Sequence, residues 1–232
     1  MHEGGFSAVL FDWRGTLFHD ESDRDWILAS AAAIGRHLTH DQAEALAAAL
    51  SGAEQHPQVR QARQQADCSV ELHRAATLLQ LRLAGFDADL ALAVWQRDGD
   101  LRATFPYPDT GPVLRALKAR HVRVGVISDI HYDVRPVFDH YGLAGLVDAF
   151  TLSFRHGWQK PDARLFAAAL AELGVQAADT LMVGDRPGRD AGGVAVGITT
   201  LLLPPVPNGA RRGLDSVVRL VRTPDDESGA QA

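Results

Sequence analysis

Ala8-Val9-Leu10-Phe11-Asp12-Trp13-Arg14-Gly15-Thr16-Leu17 is the stretch that decides the fold class. Four apolar residues run uninterrupted and stop at an acid, and a glycine follows three positions later. A strand buried on both faces reads this way, because a sheet covered on both sides leaves no wet face to mark by alternation. Asp12 then stands where the strand leaves the sheet, and Gly15 suits the loop that follows.

The same signal returns after residue 105, now alternating with helical segments. Thr110 to Ala119 reads as a helix with Pro112 in its first turn. Val122 to Ile127 reads as a strand ending at Ser128, followed by a short helix from Val134 to Tyr141 that Gly142 closes. Ala149 to Phe154 is a strand, and Pro161 to Leu173 a helix closed by Gly174. Thr180 to Gly184 is a strand ending at Asp185, and Gly188 to Val196 a helix. Ile198 to Leu203 is a strand, and Leu214 to Val221 the last helix. This alternation predicts an α/β protein with a Rossmann-like parallel sheet covered on both faces.

Between Phe18 and Thr104 the texture changes to Ala, Leu, Gln and Arg, with few β-branched residues. Asp23 to Leu38 has helical character, and Thr39-His40-Asp41-Gln42 matches a capping box ahead of Ala43 to Leu50. Val70 to Ala84 and Ala88 to Arg97 are further helices, with Gly52 and Gly85 where helices should end. The expected organisation is a core of residues 1–17 and 105–222, an α-helical insertion over 18–104, and a frayed polar tail from Thr223 to Ala232.

Composition narrows the function classes. Across 232 residues, 46% are apolar and 22% charged, with a net charge of −6, which fits a globular protein that buries a sizeable core. Nucleic acid is an unexpected partner, because phosphate-backbone binding needs clustered Lys and Arg. Cys68 is the single cysteine, so a cysteine-rich zinc site is excluded. Met1 to Ser7 lacks the pattern of a signal peptide, and no apolar run is long enough to span a bilayer; the expectation is a cytoplasmic monomer or homodimer.

In an open parallel sheet, ligands bind outside the carboxyl ends of the strands. Here those ends carry Asp12, Ser128, Lys160 a few residues past the third strand, and Asp185 with Asp190 five residues on. Asp12, Asp185 and Asp190 make an oxygen-rich set suited to Mg²⁺. Lys160 and a cation could together offset the repulsion between a carboxylate nucleophile and a phosphate ester, and Ser128 can donate to a phosphoryl oxygen. Each residue also has a plainer reading. Asp12 could form a turn, Ser128-Asp129 could cap a helix, Lys160 could sit in solvent, and Gly184 to Gly193 could be an ordinary turn into a helix. Trp13 could line a cleft or pack beneath the insertion, and the histidines show no metal-ligand spacing.

Taken together, these residues resemble the motifs of the haloacid-dehalogenase superfamily. The strand and Phe11-Asp12-Trp13-Arg14-Gly15-Thr16-Leu17 resemble its first motif, Val126-Ile127-Ser128 its second, Gln159-Lys160-Pro161-Asp162 its third, and Gly184-Asp185 with Asp190 its fourth. The resemblance implies that the insertion is a helical cap and that Asp12 is the nucleophile of a phosphatase acting on a small phosphorylated metabolite. It implies that Ser128 and Lys160 hold the phosphoryl group, with Trp13, Gly15, Thr16 and Asp129 around it. It also implies that Asp12, the backbone carbonyl of Arg14, and Asp185 hold Mg²⁺, and that Asp190 supports the metal or orients Lys160. One position departs from the family pattern. Its phosphatases place an acid-base aspartate two residues after the nucleophile, and Arg14 occupies that position. A guanidinium cannot shuttle protons near neutrality. Three outcomes follow: a substitute such as His19, Asp20 or an insertion residue; turnover confined to good leaving groups; or ligand binding without turnover, with Arg14 as an anion clamp.

Overall fold

The computed structural model describes residues 5–221. The tail expected from Thr223 onward lies outside the described residues. Among the described residues seven strands run in chain order: β1 (Ala8–Phe11), β2 (Phe18–Asp20), β3 (Thr104–Pro106), β4 (Arg123–Ser128), β5 (Ala149–Leu152), β6 (Thr180–Gly184) and β7 (Thr199–Leu202). Five of them form one parallel sheet in the order β5-β4-β1-β6-β7. The chain builds outward from β1 on one side, then returns to build on the other. That reversal of strand order opens a crevice at the carboxyl end of β1.

Between β2 and β3 lie α1 (Asp23–Ala33), α2 (His40–Ala53), α3 (Pro57–Arg63), α4 (Val70–Leu83) and α5 (Ala88–Gln96). The capping box is present: the Thr39 side chain accepts from the Gln42 amide, and the Gln42 side chain accepts from the Thr39 amide. Helix α1 ends five residues before the expected Leu38. Gly35 turns the backbone to a φ of +72°, and the Arg36 amide reaches back to the Ala31 carbonyl. Helix α3 starts at Pro57 with the His56 side chain accepting from the Gln58 amide, a start that the sequence reading passed over.

The core helices are α6 (Thr110–Ala119), α7 (Arg135–His140), α8 (Ser153–His156), α9 (Ala163–Leu173), α10 (Pro187–Asp190) and α11 (Asp215–Val218). Ser153 and Phe154, expected as the end of a strand, instead open α8, which stops at Gly157. The expected Gly188–Val196 helix is α10 followed by a 3₁₀ stretch over Ala191–Val196. Gly192 and Gly193 weaken an α-helix there. Helix α11 is shorter than expected, and Val221 instead bridges to Phe6.

Alternation along the strands feeds two sheet faces. Val9, Phe11, Val124, Val126, Leu181 and Val183 pack with Leu114, Phe138 and Val217. Ala8, Leu10, Ile127 and Met182 pack on the other face with Leu165, Phe166, Ala169 and Leu173 of α9. The inserted helices have an apolar cluster of their own, built on Ile27, Ala31, Leu81, Leu90 and Val94. Strands β2 and β3 pair antiparallel, so the boundaries expected at 17/18 and 104/105 fall in a two-stranded ribbon whose first residue, Phe18, belongs to the sheet's own cluster. Among the described residues, no helix is long and apolar enough to cross a membrane.

Candidate active site

Register alone places the chemistry. Phe11 pairs with Val126 of β4 and Val183 of β6. Asp12, one residue on, is therefore level with Ile127 and Gly184. Ser128 and Asp185 stand one further residue along neighbouring strands. One residue is about 3.3 Å of rise and one strand spacing about 4.8 Å, so the three converge on one rim without help from side-chain reach.

Lys160 completes the cluster from the loop before α9. Its ammonium donates to Asp12 Oδ1 at 2.5 Å and to Asp190 Oδ1 at 2.6 Å. Only 2% of Lys160 is exposed, so the solvated-lysine reading does not hold. The second oxygen of Asp190 accepts from the amides of Asp185 and Arg186, at 3.0 and 2.8 Å. Both oxygens of Asp190 are thus engaged in fixing the ammonium and the turn after β6. Asp129 accepts the Lys160 amide at 2.7 Å, so its carboxylate holds the lysine's backbone. Thr16 donates to Asp12 Oδ2 at 3.2 Å.

The electrostatics are unbalanced. Burial pushes the Asp12 carboxyl up to about 6 despite the adjacent Lys160 ammonium, with the Asp190 charge adding to the rise. Burial also raises Asp185. Burial opposes the charge on Lys160, but Asp12 and Asp190 outweigh it and raise its pKa. Ligand atoms of Asp12, Asp185 and Asp190 lie within 4.8 Å of one another. Asp185 Oδ1 is buried with no hydrogen-bond partner. Gly15, at φ +83°, makes room for that carboxylate, since a Cβ there would overlap it. Gly184 does the same for Asp190. A cluster of three carboxylates, one carboxyl oxygen unsatisfied and the adjacent backbone bare of a side chain fit the chemistry of a divalent-cation site.

Arg14 faces away from this group. One of its terminal nitrogens, Nη2, donates to Asp98 Oδ1 and to the Tyr132 hydroxyl, both at 2.7 Å, and its Nε lies 3.1 Å from Asp20 Oδ2. Its guanidinium carbon lies 5.0 Å from the Trp13 ring centroid. Trp13 is fully buried in the apolar cluster, and so offers a ligand no surface. His19 uses both ring nitrogens: Nδ1 contacts the Asp20 carbonyl and Nε2 accepts from the Gly209 amide. The Asp20 carboxylate accepts from Thr104 as well as facing Arg14. Two residues considered as replacement acid-bases are therefore committed to structure.

The family model for a haloacid dehalogenase-like hydrolase matches residues 6–197. The chain belongs to that family. Among curated proteins, this hydrolase-family chain is 34% identical over 132 residues to a phosphoglycolate phosphatase of Rhodospirillum rubrum, covering 55% of this chain and 51% of the relative. It is 34% identical over 95 residues to a glyceraldehyde 3-phosphate phosphatase of Methanocaldococcus jannaschii, covering 37% and 38%. The chain thus spans between about two fifths and half the length of the curated relatives it matches. Its fold is that of the HAD hydrolase YfnB of Bacillus subtilis, solved bound to magnesium, at a TM-score of 0.69 and 19% identity over 94% of this chain and 99% of that one.

Sequence reasoning missed two supports of the site. Arg212 is 2% exposed; its Nε donates to the Gly15 carbonyl, and its other nitrogens reach the Leu203 and Pro204 carbonyls. Asp109 holds the same segment by accepting the amides of Arg212, Gly213 and Leu214. No local signal marked either one: Arg212 lies between Arg211 and Gly213, and Asp109 between Pro108 and Thr110. The reading of the histidines also changes. His73 and His131 are buried, and their rings stack at 3.6 Å.

Proposed function

We propose that the protein is a Mg²⁺-dependent phosphatase acting through an aspartyl-phosphate on Asp12, on small phosphate esters whose leaving group departs without a proton. The observation that carries this reading is the buried Lys160 ammonium bridging Asp12 and Asp190, with the unsatisfied Asp185 carboxyl beside them. Asp12 attacks phosphorus, the ester oxygen leaves with the bonding pair, and water then opens the acyl phosphate and restores Asp12. Lys160 and Ser128 hold the phosphoryl oxygens, and Thr16 steadies the nucleophile. Asp12, Asp185 and the Arg14 carbonyl would hold the Mg²⁺. When bound, that ion supplies positive charge that lets an anionic ester approach a carboxylate. Asp190 orients Lys160. The helices over 23–96 serve as a cap that excludes water and selects the substrate. The relatives named as phosphatases support the reaction class.

The restriction on leaving groups follows from Arg14, which cannot donate a proton, and from the commitments of His19 and Asp20. Loss of general acid-base help costs about 10²–10⁴-fold, and an aryl or acyl leaving group needs least of that help. The expected result is Mg²⁺-dependent hydrolysis of an activated aryl phosphate, abolished in Asp12→Asn, with slow hydrolysis of alkyl phosphates. The second reading, ligand binding without turnover, is favoured by the same engaged Arg14. It prevails if the aryl ester survives unchanged while a phosphate mimic binds in the presence of Mg²⁺.

A further inference from the structure

His73 on α4 and His131 in the loop after β4 lie face to face, their planes 7° apart. They are 7% and 5% exposed. His73 Nε2 is 3.7 Å from Asp98 Oδ2 and 3.9 Å from Asp67 Oδ1, and His131 Nε2 is 3.8 Å from Asp98 Oδ2. Those gaps exceed a hydrogen bond. Both Nδ1 atoms are buried with no hydrogen-bond partner. Burying an imidazole nitrogen without a partner costs about 1–3 kcal/mol, and here two rings incur that cost side by side. Aromatic stacking returns about 0.5–1.5 kcal/mol at best. An ion on the Nε2 side would leave both Nδ1 atoms as they are, so the case for a site rests on the two Nε2 atoms that face Asp67 and Asp98.

Spacing supports a site there. Ligand atoms of Asp67, His73 and His131 lie within 4.8 Å of one another. Two ligands sharing one ion at bond lengths of about 2.0–2.2 Å stand roughly 3.3–3.6 Å apart around a tetrahedron. The three imidazole–carboxylate separations of 3.7–3.9 Å exceed this by a few tenths of an ångström, and the other pairs, within 4.8 Å, close by at most about 1.5 Å as side chains turn toward an ion. Parallel rings cannot aim both Nε2 lone pairs at one point, so one imidazole must tilt as an ion enters. The rings are suited to bind, because burial holds both pKa values down, that of His73 to about 3 with His131 adding to the drop, and neutral imidazole is the ligating form. Arg14 donates to the outer oxygen of Asp98, the kind of support from behind that orients a ligating carboxylate. His73 and Asp98 also line a cavity of about 350 Å³, which gives an ion a way in.

We propose that Asp67, His73 and His131, with Asp98 facing both imidazoles, form a binding site for a zinc-class dication, separate from the carboxylate pocket around Asp12. Two imidazoles select against Mg²⁺ and Ca²⁺, which take oxygen ligands, and favour Zn²⁺ or its neighbours. Asp67, His73 and Asp98 belong to the segment between β2 and β3, whereas His131 follows the strand that ends in Ser128. An ion held there ties that segment to the rim of the sheet. This site does not depend on what the carboxylate pocket does.

The test is a Zn²⁺ titration of the metal-stripped full-length chain against a chromogenic chelator, with Mg²⁺ in excess. The wild type and the double variant Asp12→Asn/Asp185→Asn are both expected to take up one Zn²⁺. His73→Phe and His131→Phe keep a ring in the stack and should weaken binding by about 100-fold or more, beyond the 10–100-fold that losing a group behind a ligand costs. Asp67→Asn, which keeps side-chain shape, should weaken it as well and guards against a Phe variant that fails to fold. Co²⁺ in the same site should give the visible bands of a four-coordinate ion, lost in the His variants. Zn²⁺ uptake that is absent in the wild type, unaffected by all three single changes, or lost only with Asp12 and Asp185 would overturn the proposal.

Discussion

Lys160 and Arg14 each sit between two carboxylates, yet the two arrangements are held by different parts of the molecule. Lys160 is buried, its side chain 3% exposed, and joins Asp12 to Asp190 entirely within the core. Arg14 is 29% exposed in its side chain and joins a core loop to Asp20 and Asp98, which begin and end the helical segment. The first cluster depends on strand register, which a packed sheet fixes. The second depends on how the inserted helices sit on the core. The Lys160 side of the candidate site, which would hold the phosphoryl group in the proposed reaction, is thus rigid by construction, while the Arg14 side is tied to the insertion.

Removing each cation tests that contrast. Lys160→Ala leaves Asp12 and Asp190 facing each other in the interior, and losing one partner of a buried ionic cluster costs about 3–5 kcal/mol. Thermal unfolding should shift strongly downward, and aryl-phosphate turnover should vanish with it. Arg14→Asp bears on chemistry. If only the proton shuttle is missing, the alkyl-to-aryl rate ratio should rise, by as much as about 10²–10⁴-fold. The same variant should melt earlier, because three acids then share the space one guanidinium had neutralised. An unchanged ratio would mean that another group already serves as the acid.

Smaller effects sharpen the picture. Gly15→Ala pushes a methyl group into the Asp185 carboxylate and should weaken Mg²⁺ binding by about 10–100-fold while leaving phosphate-free stability less affected. Arg14→Gln should cost about 1–3 kcal/mol, between an exposed and a buried pair, and so distinctly less than Lys160→Ala. In the proposed mechanism Asp12 attacks only when ionised, so activity should be present above its pKa and lost as pH falls through it. At limiting Mg²⁺ the acid limb should lie near 6 and fall about tenfold per pH unit, and saturating Mg²⁺ should move it lower, because a cation favours the charged form. An acid limb indifferent to Mg²⁺ would separate the ion from the nucleophile.

The sequence was legible where function sits at the end of a strand. Asp12, Ser128 and Asp185 needed only the strand pattern and the parallel order to meet, and a capping box or a closing glycine could be read from a few adjacent residues. Strand order brought Lys160 near the same rim, but nothing local distinguishes a buried lysine from a solvated one, and only the company of the other motifs favoured the first. Contacts between the insertion and the core were not legible. His73 and His131 are 58 positions apart in sequence, and the apposition of their rings depends on helix packing that no local pattern encodes. The direction of Arg14 was open for the same reason, because Asp98 and Tyr132 come from either side of the interface. Trp13 was ambiguous because its neighbours in the structure, Phe18 and Tyr132, belong to two different segments.

The bond from Arg212 to the Gly15 carbonyl spans 197 positions of the chain. During synthesis the loop that follows Asp12 is made well before its fastener. At about 5–20 residues per second the two ends of that bond are made about 10–40 s apart. For that interval Asp12 and the loop beside it exist without the side chain that fastens them, so the loop's final geometry must wait for Arg212.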